Sequence, residues 1–187
     1  MLGWMVNNAS RASSCGQRIF EIIDADSPVD NTPQATPQSR VKGRVIFDNV
    51  TFGYNASSVA LKDVNVTIEP GQLVAIVGMP GSGKTTFANL LLRFYDPTSG
   101  AIKIDGINIQ DFTLASLRDN VGIVQQDVFI YGATVRDNIA FGKIEAEQTD
   151  VVSAAAIAQI SDFIHEFPEG FNTPIGERGV SLSGGQK

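Results

Sequence analysis

Cysteine, histidine and tryptophan each occur once in these 187 residues. A lone Cys15 cannot close an internal disulfide, which fits a reducing compartment. A lone His165 excludes a metal site built from several histidines. Basic residues are also scarce: 14 Lys and Arg stand against 20 Asp and Glu, a net charge of −6, and the pI is about 4.7. Binding a phosphate backbone calls for a basic face, so nucleic acid is not an expected partner. Long apolar runs are missing too. The longest, such as Leu73–Val77, fall far short of the ~20 residues that a bilayer-spanning helix needs. Met1–Asn8 has no basic start ahead of its apolar residues, so no signal peptide is expected. At 43% hydrophobic and 18% charged residues, the composition is that of an ordinary globular chain. Its length suits one well-cored domain with a short appendage.

Apolar or small residues recur at Leu2, Met5, Ala9, Ala12, Cys15, Ile19, Ile22 and Ile23, one stripe of an amphipathic helix over residues 1–25. Such a helix either packs on its own domain or arrives from elsewhere. The stretch that follows favours the second reading. Residues 26–42 carry Pro28, Pro33 and Pro37 among Ser, Thr, Asn and Gln, a composition expected to be extended and poorly packed.

The domain proper spans 43–187. Two β-type runs, Arg44–Phe52 and Leu61–Ile68, flank a turn-rich stretch and predict an antiparallel pair. Leu73–Val77 and Val121–Val124 are short and continuously apolar, as expected of strands buried on both faces. Ile102–Ile109 reads as strand interrupted at Gly106. Helices are expected after the glycine-rich stretch through Arg93, and over 114–119, 134–141, 147–158 and 162–167. Antiparallel strands followed by alternating strands and helices predict an α/β core with a β-rich subdomain in front.

Gly78-Met79-Pro80-Gly81-Ser82-Gly83-Lys84-Thr85 fits the phosphate-loop pattern G-x-x-x-x-G-K-[ST]. Glycines let the backbone curl so that several N–H groups face one anion, and the following helix adds the positive end of its dipole. Lys84 brings a full charge to the β- and γ-phosphates, Thr85 a hydroxyl for Mg²⁺, and Thr86 a donor for a phosphate oxygen. The loop alone leaves kinase, GTPase and ATPase open. A second glycine pair after a serine, in Leu182-Ser183-Gly184-Gly185-Gln186, makes another anion nest at a potential helix start. Two such loops imply a nucleotide gripped from two directions.

Leu182–Gln186 resembles the signature sequence of the ATP-binding cassette (ABC) ATPases, and much of the chain is similar to that family. Val50-Thr51-Phe52-Gly53-Tyr54 resembles the segment whose aromatic stacks on adenine, which implies that role for Tyr54. Val124-Gln125-Gln126-Asp127 resembles the glutamine loop. The family places an acidic residue directly after the functional glutamine, which selects Gln126 as a Mg²⁺ ligand and water holder. Thr134–Ile139 and Thr173–Gly179 resemble exporter segments, the latter a stretch that touches coupling helices of a membrane domain. Asp137 departs from the usual Glu, and Tyr131 from the usual Phe. Residues 1–25 look like the end of an exporter's last membrane helix.

The resemblance implies a P-loop NTPase (RecA-like) core with an N-terminal antiparallel β subdomain and a helical signature subdomain. It implies ATP and Mg²⁺ at Tyr54, Gly78, Gly81, Ser82, Gly83, Lys84, Thr85, Thr86 and Gln126. Ser183, Gly184, Gly185 and Gln186 would contact the nucleotide held by a second such domain. A transmembrane domain of the same or another chain would be the other partner, at the cytoplasmic face of the cell membrane. The expected activity is ATP hydrolysis coupled to export of a multidrug- or lipid-type cargo. The alternatives are an ABC ATPase unlinked to transport, or a nucleotide-binding fragment without hydrolysis. The family's strand ending in Asp-Glu, and its later switch histidine, have no counterpart up to Lys187, so these residues alone are expected to be inactive. Val45–Asp48 mimics that strand but precedes the loop and reads as structural.

Overall fold

The antiparallel pair anticipated from the two β-type runs is formed. The computed structural model describes residues 2–25, 27–55, 57–125, 128–143 and 145–176. The chain divides into two units, Met1–Gly122 and Ile123–Lys187.

In the first unit, helix α1 (Leu2–Ile23) precedes strands β1 (Val45–Phe52), β2 (Leu61–Ile68), β3 (Ser99–Ile104) and β4 (Ile107–Asn108). They form one antiparallel sheet in the order β2-β1-β3-β4. Along β1 the pairing slips between Phe47 and Val50, where Asn49 takes φ 48°. That bulge resets the alternation, so Phe47, Val50 and Phe52 are all buried. Opposite it, Gly100 takes φ 83°, and a Cβ there would run into the Asp48 and Asn49 carbonyls, so only glycine fits.

Helix α2 (Lys84–Leu91) lays Phe87, Leu90 and Leu91 on this sheet. Phe87 stacks on Phe47 at 3.9 Å between ring centroids. Helix α3 (Leu114–Asn120) adds Leu117, and its start is capped by Thr113, whose hydroxyl accepts from the Ser116 N–H. Each fully buried Leu, Ile or Phe of this cluster contributes about 1.5–3 kcal/mol relative to exposure.

Residues 27–43 are extended, as their composition suggests, but they are not loosely packed. Val29 is buried. Buried Arg93 donates to the Asp30 carbonyl at 2.9 Å, and Asn31 accepts from the Leu114 N–H at 2.7 Å. Thr36 bridges to Phe112, and the Asn120 side chain grips Gln38 and Val41. Asp105, in the β3–β4 turn at φ 53°, accepts from the N–H groups of Arg44, Lys42 and Gly43. The polar residues that make the stretch look like a linker instead satisfy backbone groups of the domain. By contrast, the described apolar side chains at the end of α1, among them Ile19, Ile22 and Ile23, are exposed.

Two expected strands are not formed. Residues 72–79 have no regular structure, and Val77 is 91% exposed. Residues 121–125 are likewise irregular, and Val124 is 96% exposed. A central parallel strand is held by hydrogen bonds to neighbours on both sides. Neither stretch pairs with any strand among the described residues.

The regular structure described in the second unit is helical. It contains α4 (Val135–Ile139), α5 (Gln148–Ile157) and α6 (Ser161–His165), near the expected positions. Thr134 caps α4 by accepting from the Asp137 N–H at 3.1 Å. Ile130, Val135, Ala155, Ile164 and Ile175 make its core. The segment 173–175 closes it through Val135 N–H to the Thr173 carbonyl, and Ile175 N–H to the Ala133 carbonyl. His165 ends α6 edge-on to Phe171, a packing position.

Candidate nucleotide-binding site

The glycine-rich loop does open a helix. Gly83 is the N-cap of α2 at φ 90°, and Gly81 takes φ 80°. At Gly83 a Cβ would lie 2.7 Å from Leu61 Cδ2 and 2.8 Å from the Ala60 carbonyl. The loop therefore lies directly against the start of β2, and its sharpest bend admits no side chain. At Gly78 a Cβ would meet the Ser82 hydroxyl. A turn from the Ser82 N–H to the Met79 carbonyl, 3.1 Å, folds the loop on itself. The first N–H groups of a helix have no acceptor within it, and the first turn of α2 holds no acidic residue. This end of α2 suits an anion.

Lys84 reaches back over the loop. Its Nζ donates to the Gly78 and Met79 carbonyls, both at 2.8 Å, and approaches the Ser82 hydroxyl at 3.4 Å. The ammonium is thus held at the loop rather than out in solvent. Thr85 is exposed at the helix start, whereas Thr86 is only 5% exposed.

Tyr54 lies just beyond β1. Its hydroxyl is 3.1 Å from Thr86 Oγ1. One cavity of about 340 Å³ is lined by Tyr54, Ser58, Val59, Ala60 and the run Gly81–Thr86. The structure thus brings together the aromatic and the phosphate loop, which are well separated in sequence. The tyrosine is 53% exposed and offers an open ring to that cavity's rim. Gly78 borders a neighbouring apolar cavity with Ser82, Gly83 and Lys84. Gln126 and the signature residues Ser183, Gly184, Gly185 and Gln186 lie outside the described residues.

Geometry and donor set fit a triphosphate: a glycine bend closed to side chains, free helix-start N–H groups and one ammonium. Among the described residues no carboxylate lines the cavity, and no cluster of three or more His, Cys, Asp or Glu could hold a metal. Asp48, the possible decoy, lies in β1 and pairs with Lys103 at 3.1 Å. Ser58, Val59 and Ala60 line the cavity without having been anticipated. They carry no motif, and only the turn after Gly53 brings them there. Tyr95, which packs on Tyr54, was also missed: their nearness comes from strand pairing and leaves no mark in the sequence.

A phosphate loop opening a helix, beside an antiparallel β subdomain, is the arrangement of a P-loop nucleotide-binding protein. The chain belongs to the ABC transporter family, whose description matches residues 61–187. It is 49% identical over 170 residues to a Staphylococcus aureus (strain NCTC 8325 / PS 47) protein that bears the name multidrug export ATP-binding/permease protein. It is 44% identical over 168 residues to the uncharacterized ABC transporter ATP-binding protein YwjA of Bacillus subtilis (strain 168). Each alignment covers 90% of this chain and 29% of the relative. The fold superposes on a bacterial Atm1-family ABC exporter solved with ATP bound, with TM-score 0.87 and 41% identity over 100% of this chain and 33% of that one. The fold is therefore that of a P-loop NTPase, and the chain spans under a third of the length of these curated relatives.

Proposed function

We propose that this chain is the ATP-binding module of an ABC exporter, in which ATP binding and hydrolysis drive a cargo across the membrane. The observation that carries the reading is the single cavity running from Tyr54 to Gly81–Thr86. Its lining puts an aromatic ring at one side and the glycine loop with Lys84 at the other, which suits a nucleotide laid with its base at the tyrosine and its phosphates on the loop. Identity of 41% to an exporter with ATP bound, across the entire chain, supports ATP as the ligand.

In this reading the N–H groups of the loop and of the start of α2 cradle the phosphates. Lys84 exchanges its carbonyl partners for phosphate oxygens, and Thr86 donates to a phosphate. Thr85, with Gln126, holds Mg²⁺, which when bound neutralises phosphate charge. Ser183, Gly184, Gly185 and Gln186 complete the site of a second nucleotide-binding domain, in an identical or a different chain. Residues 1–25 belong with a membrane domain, 26–42 join it to the nucleotide domain, and 43–187 form that domain at the cytoplasmic face. The exposed apolar end of α1 supports the first of these assignments. Among the described residues no carboxylate lines the loop's cavity, which supports the reading that residues 1–187 alone bind ATP without turning it over.

Mixed dimers of the full-length protein test the reading. Pairing a Ser183→Arg subunit with a Lys84→Ala subunit leaves one composite site intact and damages the other twice. One occluded nucleotide per mixed dimer is expected, and none for either parent. Occlusion that does not depend on protein concentration would refute a site shared between subunits.

A further inference from the structure

We infer that Tyr95 is a positioning residue for the nucleotide base: it fixes the ring plane of Tyr54 and so makes the stacking surface rigid before ATP arrives. The inference rests on the reading of Tyr54 as the base-stacking residue.

The topology explains how the two tyrosines meet. Strands β1 and β3 run antiparallel with Thr51 opposite Ser99, and the Thr98 N–H donates to the Thr51 carbonyl. Past that pairing, β1 runs forward to Tyr54 while the segment leading into β3 runs back to Tyr95. Tyr54 therefore packs perpendicular to two rings. Phe52 lies at 5.0 Å and 82°, and Tyr95 at 5.1 Å and 88°. Edge contacts of this kind hold a ring while leaving it unstacked. Among the described residues no aromatic ring lies parallel on Tyr54, and the residue is 53% exposed, which leaves room for a base to stack. The hydroxyl of Thr86 ties the other end of the ring to α2.

Tyr95 can serve this purpose because its own segment is clamped. Arg93, just before it, is fully buried at φ 51°. The guanidinium bonds Asp96 at 2.9 Å and the Asp30 carbonyl at 2.9 Å, spanning both sides of the turn. Arg118 donates to the Arg93 carbonyl and covers the Phe94 ring at 5.4 Å. A bidentate guanidinium in a buried setting immobilises the turn. Tyr95 also packs on Phe52, with ring centroids 5.5 Å apart, which closes a triangle of the three rings. Restricting a binding surface in advance lowers the ordering cost of binding.

The test compares ATP with inorganic tripolyphosphate, which has the phosphates but no base, by calorimetry on the full-length protein. Tyr95→Ala should weaken ATP binding by roughly three- to tenfold and leave tripolyphosphate binding unchanged. Tyr95→Phe should behave as wild type, since the aromatic ring and not the hydroxyl makes the contact. Tyr95→Leu keeps apolar volume without a flat edge, and should reproduce the ATP-specific loss even if the Ala variant folds poorly. Tyr54→Ala in the Tyr95→Ala background should cost little more than either change alone. Equal losses for ATP and tripolyphosphate would mean that Tyr95 merely supports the fold, and would overturn the inference. So would unchanged ATP affinity in Tyr95→Leu while Tyr54→Ala still lowers it, an outcome that leaves the stacking reading intact. If Tyr54→Ala itself has no effect on ATP, stacking and positioning fall together.

Discussion

The two ends of the cavity are built from different materials. At the end proposed for the phosphates, glycine backbone and helix-start N–H groups form the surface, and among the described residues Lys84 is the one charged side chain lining it. At the end proposed for the base, side chains form the surface: Tyr54 packs perpendicular to Phe52 and Tyr95, with a hydroxyl link to Thr86. The difference teaches where each end is vulnerable. A backbone-built surface is damaged by adding atoms, whereas a surface built of side chains is damaged by removing them.

The largest effect should come from adding one methyl group at the phosphate end. Gly83→Ala puts a Cβ against Leu61 and the Ala60 carbonyl at a backbone φ of 90°. It should cost about 1–3 kcal/mol of stability and abolish measurable ATP binding. Gly81→Ala meets no atom within 4 Å, although its φ is 80°. Only the conformational cost of about 1 kcal/mol applies there. Thermal unfolding with calorimetry on both variants checks the contrast, and equal damage at the two glycines would break it.

At the base end, Tyr54→Ala should weaken ATP binding by about 1–2 kcal/mol, whereas Tyr54→Trp should be tolerated. Stacking needs a flat ring, and the Thr86 hydroxyl link is lost in both. A Trp variant as weak as the Ala variant would show that the hydroxyl, not the ring, matters.

The smallest effect lies away from both ends, at Asp105. Hydrogen bonds from the Arg44 N–H above all, and from those of Lys42 and Gly43, hold its carboxyl below the ordinary carboxylate range. A depressed folded value stabilises the fold above the unfolded value of ~3.9, and that contribution is lost as pH falls through the folded value. Asp105→Asn should thus lower the melting temperature slightly at neutral pH. The gap from wild type should close as pH drops below about 4. A gap that does not narrow as pH falls below about 4 would exclude the carboxylate as its source.

Local signals were legible in the sequence. The two β-type runs became β1 and β2, and the phosphate-loop pattern sits at the start of a helix, as written in its glycines and Lys84. Tyr54 was readable through its resemblance to the family's adenine-stacking segment, yet its partners were not. Phe52 is near in sequence, but Tyr95 arrives through the pairing of β1 with β3. The proline-bearing stretch misled for a physical reason. Composition reports the lack of apolar residues, while Asn31 and Asn120 fasten the stretch by hydrogen bonds that composition does not register. Leu73–Val77 and Val121–Val124 are apolar enough for buried strands, but a strand needs partners, and pairing is not encoded in the run itself.

The central claim is that the loop at Gly78–Thr86 holds the phosphates of ATP and that Lys84 supplies its charge. Calorimetric titration of ATP and of tripolyphosphate into full-length wild type and Lys84→Ala, with circular dichroism on both, tests it most directly. The ammonium now bonded to the Gly78 and Met79 carbonyls should bind phosphate instead. Its removal should weaken both ligands by about a hundredfold with an unchanged spectrum. Unchanged affinity for either ligand in the folded variant would contradict the account.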